Sequence, residues 1–279
     1  MTAARYALVT GAGSGFGFEI VRHLLDAGWH VLATFKTAAE QTVFAPHERL
    51  VLGVMDFTHT ADIQGIVTQL QACFPRLDLL VNNAGFGTYG ALEDLSEAQL
   101  RLQMEVNFFG PVCLTRLLLP ALRASQGRLI TVTSIMGQYA MPLVSAYSAS
   151  KYALEGLFEG LYYELQPHGV QVCTVQPGGY RTSFFKALHW GEHSQSPDSV
   201  YAPWGRHFQA FMDRLAQRPK APHPREVAQK VLWLLQQRQM PRSVVVGKDA
   251  RGIALLKKGL PAAVFHRLIQ RVNRHILKF

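Results

Sequence analysis

The chain has 279 residues, 48% of them apolar and 17% charged, and carries a formal charge of +9 at neutral pH. That length and apolar share suit one large α/β domain, or a domain with an appendage, and exclude a disordered chain. Residues 251–279 hold seven bases and no acid, so the body is close to neutral and no nucleic-acid footprint spreads over the fold.

Cys73, Cys113 and Cys173 are too few and too scattered for a disulfide framework, and no CxxC pair suggests zinc. Free thiols and a reducing cytoplasm are the expectation. No charge-free apolar run reaches the ~18 residues a membrane span needs. The N-terminus reads as entering a strand almost at once, so no signal peptide is expected.

In chain order, Arg5–Thr10 reads as an apolar strand, followed by a glycine-rich turn and a helix to about Ala27. Trp29–Phe35 and Arg49–Met55 read as strands, Asp62–Phe74 as a helix and Leu77–Val81 as a fourth strand. Ser96-Glu-Ala-Gln99 is a capping box opening one or two helices that run to about Arg123. Arg128–Thr133 is a fifth strand, Tyr147–Gln166 a long helix and Val170–Gln176 a sixth strand. This alternation predicts a doubly wound, Rossmann-like parallel sheet with helices on both faces. Residues 184–223 read as a mobile helical flap over the open end of the sheet. Pro224–Gln237 is a helix and Ser243–Gly247 a last strand. Residues 1–250 thus form one catalytic domain, including the flap, and 251–279 a basic amphipathic, helical C-terminal extension.

Thr10-Gly-Ala-Gly-Ser-Gly-Phe-Gly17 joins the first strand to the first helix. It lacks the GxGxxG fingerprint but carries TGxxxGxG. Glycine permits positive φ and close approach to a pyrophosphate, and the helix N-terminus offers N–H groups to its oxygens. Gly11, Ser14, Gly15, Phe16 and Gly17 are the candidate phosphate-binding residues; the plain alternative is a glycine-rich turn without ligand. The second strand ends in Phe35 and Lys36 without an acid to accept a ribose 2′-hydroxyl, which favours NADP(H) over NAD(H). Asp56, after the third strand, is placed to meet the adenine amino group.

Tyr147 and Lys151 lie four apart on one helix face, and Ser134 ends the fifth strand. Ligands bind beyond the carboxyl ends of such strands, so the three side chains can meet there. Lys151 is expected to lower the Tyr147 pKa, Ser134 to bond the substrate oxygen and Tyr147 to move its proton.

The joint pattern is TGxxxGxG at 10–17, Asn82-Asn-Ala-Gly85, Asn107 in Val106-Asn-Phe-Phe-Gly110, Ser134, Tyr147/Lys151, and Pro177-Gly178 with Thr182. Together these resemble the short-chain dehydrogenase/reductase family over residues 5–182. The resemblance implies that Asn107 holds a water in a proton relay from Lys151, which also binds the nicotinamide ribose. It implies that Asn83, Ala84 and Gly85 lie beside the adenosine, that Pro177 and Gly178 touch the nicotinamide, and that Thr182 meets its carboxamide. The 82–90, 107–110 and 147–155 segments resemble the branch of hydroxysteroid and retinol dehydrogenases and bacterial NADP-dependent aldehyde reductases. The implied substrate is an apolar carbonyl or alcohol, the implied direction carbonyl reduction, and the implied assembly a homodimer or homotetramer through helices 100–123 and 147–166. Two other classes remain open: a catalytically silent NADP(H) sensor, and a membrane-surface lipid-binding protein.

His189-Trp-Gly-Glu-His193 matches a zinc-peptidase string, but Gly191 inside it and Pro197 soon after argue against the helix that chemistry needs, so no metal is expected. Phe184, Phe185, Leu188, Trp190, Tyr201, Trp204, Phe208 and Phe211 either wall a lipid-like pocket or pack on the body, and Tyr139, Met141 and Leu143 would line the facing wall. Pro261–Phe279 is an amphipathic helix with Phe265, Leu268, Ile269, Val272, Ile276 and Phe279 on one side and Arg267, Arg271, Arg274 and Lys278 on the other. It either docks on the body or a partner subunit, or lies on an anionic membrane surface. On the membrane reading, deleting residues 260–279 releases the protein from liposomes and spares activity.

Overall fold

The computed structural model describes residues 4–217 and 221–278. Seven strands form one parallel sheet: β1 (Tyr6–Val9), β2 (His30–Phe35), β3 (Leu50–Val54), β4 (Leu79–Asn82), β6 (Arg128–Val132), β7 (Gln171–Pro177) and β9 (Ser243–Val246). Their spatial order is β3-β2-β1-β4-β6-β7-β9. A separate parallel pair, β5 (Thr88–Tyr89) with β8 (His189–Trp190), joins the loop after β4 to the flap. Each sheet strand matches the sequence reading to within two residues at either end.

The strands are apolar throughout because both faces are covered. Successive side chains alternate between the faces. Ala7 and Val9 of β1, with Leu79 and Val81 of β4, join one core with α1 (Gly15–Asp26) and α7 (Arg225–Gln236), through Ile20, Leu24, Val227 and Val231. Leu8 and Leu80 point the other way, to α2 (Thr60–Cys73), α4 (Gly110–Ser125) and α5 (Ser145–Leu165), meeting Leu70, Leu118 and Phe158. Each such fully buried side chain stabilises the fold by about 1.5–3 kcal/mol.

Strand order reverses between β1 and β4, so a crevice opens beyond their carboxyl ends. The capping box forms as read: Gln99 N donates to Ser96 Oγ at 3.3 Å and Ser96 N to Gln99 Oε1 at 3.2 Å, starting α3 (Glu97–Met104). Gln99 also reaches the flap, donating from Nε2 to Trp190 O at 2.9 Å and accepting from Glu192 N at 3.1 Å.

The C-terminal third departs furthest from the sequence reading. The flap contains a 3-10 turn (Ser183–Ala187), β8 and α6 (Ala202–Ala216), while residues 218–220 lie outside the described residues. The stretch read as the start of the basic extension belongs to a helix, α8 (Lys248–Gly259), so a boundary at residue 250 falls inside it. The last helix, α9 (Ala262–Leu277), buries Phe265 and Leu277; Phe279 of the expected stripe lies outside the described residues.

Candidate active site

The ends of β1 and β4 are stitched together. Thr10 Oγ1 accepts from Asn83 N and Ala84 N, both at 3.0 Å, and Asn83 Nδ2 donates to Thr10 O at 2.8 Å and Gly11 O at 3.0 Å. This fixes where glycine is needed. Gly11 has φ +68, and a Cβ there would stand 2.7 Å from the Ala84 Cα; one on Gly17 would stand 2.2 Å from Gly11 O. Ser14 gives α1 no side-chain cap; its Oγ instead lies 2.6 Å from Ser183 Oγ at the flap root. The first-turn N–H groups, from Gly15, Phe16 and Gly17, are left for an anion. The Phe16 ring makes an edge contact with Tyr180 at 5.4 Å and packs on the core beneath the turn. Thr182 packs on Gly15, its Cγ2 3.3 Å from where a Cβ would be. These features fit a dinucleotide whose pyrophosphate crosses the turn.

At the end of β2, Lys36 Nζ lies 3.6 Å from Asp56 Oδ2. Burial works to raise the Asp56 carboxyl, but the Thr58 amide and hydroxyl, with Lys36 and His59, outweigh it and hold the carboxyl below its usual value. Sequence reasoning missed Glu40. It sits in a 3-10 turn (Ala38–Val43), accepts from Lys36 N at 3.2 Å, and rests on the glycine turn 3.1 Å from the Cβ position of Gly13. Nothing in the linear pattern marks it, since a residue beyond the strand end is placed by the turn alone.

Ser134, Tyr147 and Lys151 converge as expected. All three are buried, and the Ser134 side chain lies near enough to the Tyr147 phenol to favour its phenolate. Lys151 Nζ lies 5.8 Å from the Tyr147 ring centroid and donates to Val132 O at 3.2 Å. Burial pushes Tyr147 up to about 12, only partly opposed by Ser134, and draws Lys151 down to about 8 against the pull of Glu155. The lowered tyrosine expected from the sequence is therefore corrected: in the protein alone, loss of hydration at the phenolate prevails, opposed only by Ser134.

Asn107 lies in a π-helical turn, Glu105–Phe109, of the kind that often marks functional sites. Its Oδ1 accepts from Phe86 N at 3.0 Å, and its Nδ2 donates to Phe86 O at 2.9 Å and Ser150 Oγ at 3.0 Å. Gly85 separates it from Lys151: a Cβ there would be 3.1 Å from Asn107 Oδ1 and 3.6 Å from Lys151 Nζ. Pro177 ends β7, and Gly178 is pressed against Asp249, which also accepts from Gly179 N at 2.7 Å.

The flap aromatics share one apolar cluster with Tyr147. It includes Phe184, Phe185, Leu188, Trp190, Tyr201, Trp204, Phe208 and Phe211, with Met141, Leu143, Ile276 and Leu277. Tyr89 and Phe184 stand 5.9 and 5.6 Å from the Tyr147 ring. Tyr139 lies behind this wall, edge-on to Phe265 at 6.5 Å. The 189–193 string begins in strand β8, with the His189 ring 4.8 Å from Phe86, so its histidines share no helix face; among the described residues no metal-holding group of His, Cys, Asp or Glu exists. The outer side of α9 leaves Val264, Leu268 and Val272 exposed beside Arg267, Arg271 and Arg274. No helix of the described residues is long and apolar enough to cross a membrane.

The family model for short chain dehydrogenases matches residues 5–192. The chain belongs to this family of oxidoreductases, which act on CH-OH and carbonyl groups through a nicotinamide coenzyme. It is 31% identical over 267 residues to the probable short-chain type dehydrogenase/reductase VdlC of Helicobacter pylori, covering 95% of this chain and 97% of that one. It is 38% identical to a 3-ketodihydrosphingosine reductase of Bacteroides thetaiotaomicron, over 63% of this chain and 64% of that one. It is 39% identical to 11-beta-hydroxysteroid dehydrogenase type 2 of Bos taurus, over 69% of this chain and 50% of the other. A short-chain dehydrogenase structure from Streptomyces avermitilis superposes with a TM-score of 0.81 at 33% identity, covering 98% and 99% of the two chains. One from Burkholderia cenocepacia, solved with NADP, gives 0.74 at 28% identity, covering 95% and 97%.

Proposed function

We propose that the protein reduces an apolar ketone or aldehyde to the alcohol with NADPH. The observation that carries this is the buried Ser134–Tyr147 pair beside Lys151, roofed by aromatic rings at the carboxyl ends of the strands. Bound NADPH supplies the hydride that goes to the carbonyl carbon. Ser134 donates a hydrogen bond to the substrate oxygen, and Tyr147 transfers its phenolic proton to that oxygen as the alcohol forms. A phenol pushed up to about 12 is protonated at neutral pH, as a proton donor must be. Lys151 holds the coenzyme ribose and stabilises the phenolate left on Tyr147. Both Asn107 Nδ2 hydrogens are taken by Phe86 O and Ser150 Oγ, so Asn107 would hold a relay water from Lys151 as an acceptor.

Gly11, Gly15, Phe16 and Gly17 cradle the pyrophosphate, with Ser14 at the helix mouth. Asn83, Ala84 and Gly85 flank the adenosine; Pro177, Gly178 and Thr182 flank the nicotinamide. Lys36 meets a 2′-phosphate and Asp56 the adenine, which makes NADP(H) the preferred coenzyme. The aromatic cluster suits a lipid-like substrate, in keeping with the names of the sphingosine and steroid relatives. Exposed Phe109, Tyr152 and Tyr163 on and beside α4 and α5 suit a homodimer or homotetramer, read out as mass by light scattering. The deciding screen follows NADPH and NADH oxidation across nonanal, retinal and ketosteroids. Tight NADPH binding with no turnover of any carbonyl would instead favour a sensor.

A second reading concerns α9, whose outer aliphatic and basic side suits an anionic bilayer. Its inner side reaches the Tyr147 cluster through Ile276 and Leu277, so deleting residues 260–279 would damage the pocket rather than spare it. Leu268→Ser with Val272→Ser is the cleaner probe. Reduced retention on phosphatidylglycerol vesicles, with reductase activity kept, supports a membrane-surface role, and unchanged retention removes it.

A further inference from the structure

Glu155 lies one helical turn beyond Lys151 on the sheet-facing side of α5, where its buried neighbours Leu154 and Phe158 are apolar. A buried carboxylate is costly unless donors surround it. Here the one Thr133 hydroxyl hydrogen is shared between Glu155 Oε1 and Val175 O, the Thr174 hydroxyl donates to Oε2 at 3.0 Å, and the Gln176 side chain favours the same carboxylate. The Gln138 amide donates to Gln176 Oε1, which turns the Gln176 NH2 toward Glu155. Burial pushes the Glu155 carboxyl above its usual value, and Thr133, Gln176, Thr174 and Arg242 all work against that by favouring the ionised form.

The elements they belong to matter as much. Thr133 immediately precedes Ser134, whereas Thr174 and Gln176 belong to β7. Gly137, in the loop after Ser134, sits so close to α5 that a Cβ would be 2.9 Å from Glu155 Cγ and 3.0 Å from Lys151 O. One carboxylate thus ties the segment bearing Ser134, the neighbouring strand and the helix bearing Tyr147 and Lys151. We propose that Glu155 is a positioning residue, which clamps Ser134 to the Tyr147–Lys151 helix and whose charge keeps the Lys151 ammonium protonated. This rests on the hydride-transfer reading above.

The other ionisable groups around Glu155 are Lys151 on α5, Cys173 on β7 and Arg242 before β9, and Arg242 is paired with Glu159 at 3.1 Å. Cys173 is pushed up to about 12 by burial and stays neutral. Burial draws Lys151 down to about 8, and Glu155 is the group that works against it.

The test measures NADPH affinity by fluorescence and kcat with the best carbonyl substrate from pH 6 to 10. Wild type, Glu155→Gln and Thr174→Val are compared, with Tm recorded for each. Glu155→Gln should move the alkaline loss of NADPH affinity and of kcat to lower pH by about one unit. Thr174→Val removes one bond but no charge, and should lower Tm while leaving both limbs in place. An unmoved limb in folded Glu155→Gln, or an equal movement in Thr174→Val, overturns the proposal. Should Glu155→Gln not fold, Glu155→Asp keeps the charge on a shorter side chain. It should lower kcat several-fold at unchanged KM without moving the limb, and a full kcat or a shifted limb overturns the clamp. If Tyr147→Phe itself keeps its turnover, it is the hydride-transfer reading that fails, a separate outcome.

Discussion

The coenzyme half, residues 5–182, and the substrate half, made of the flap, α8 and α9, are held together over different sequence distances. In the first, most functional residues stand at strand ends or on the segments that follow them, and adjacent strands bring them together. Thr10, Asn83 and Ala84 meet because β1 and β4 are adjacent. In the second, Leu277 shares a cluster with Tyr147 and Phe208, contacts that no local pattern sets. A parallel sheet places the chemistry wherever its strands end, whereas an aromatic pocket can be assembled from whatever segments reach it. The first half should therefore tolerate change in the second with its coenzyme affinity intact.

The largest expected effect lies within the first half. Tyr147→Phe removes the proton donor but keeps the ring that packs on Tyr89 and Phe184. Carbonyl turnover should fall by about 10²–10⁴-fold. NADPH affinity, measured by fluorescence, should barely change, and near-normal turnover would refute the assigned role.

Next comes Phe208→Ala in the second half. Phe208 is almost fully buried between Tyr89, Trp190 and Phe211. Its truncation should cost about 3–5 kcal/mol of packing. If the halves are separable, KM for an apolar ketone rises and α6 exchanges its amide hydrogens faster, with NADPH affinity kept. A matching loss of coenzyme affinity would show that the halves form one cooperative unit.

How much was legible follows the same division. The sheet, the capping box at Ser96 and the convergence of Ser134, Tyr147 and Lys151 could be read because period, caps and strand ends are local signals. The β5–β8 pair could not, since two residues on each side of a long gap carry no periodicity. The start of helix α8 was missed because it lies at Lys248, ahead of the residue at which the helical extension was expected to begin. Glu155 was overlooked because its role comes from Thr133, Thr174 and Gln176, all on other segments. The sign of the Tyr147 shift was also missed, since burial is a property of the folded protein.

Lys151→Met separates function from stability inside the first half. A lysine drawn down to about 8 binds fewer protons folded than unfolded at any pH between that value and its ordinary 10.5. Stability thus rises with pH across that window, and below it the buried ammonium carries its full cost. Lys151→Met should be inactive yet melt higher than wild type at pH 7 in a thermal scan, with the gap narrowing toward pH 10. A lower melting temperature at pH 7 would mean that the bond to Val132 O outweighs desolvation.

The smallest expected effect concerns coenzyme choice, where two charges compete at one place. Lys36 is two-thirds exposed and shared with Asp56, so it is free to turn toward a 2′-phosphate. Glu40 bonds the Lys36 backbone and lies over Gly13, where its carboxylate would repel that phosphate. Both groups face solvent, so each contributes about 0.2–1 kcal/mol, less at high salt. Glu40→Gln should tighten NADPH two- to fivefold at low ionic strength, an effect of about that energy, and leave NADH unchanged. Lys36→Ala should weaken NADPH alone. If Glu40→Gln instead weakens NADH and leaves NADPH as it was, the carboxylate is a ribose hydroxyl acceptor, and the preference for the phosphorylated coenzyme is reversed.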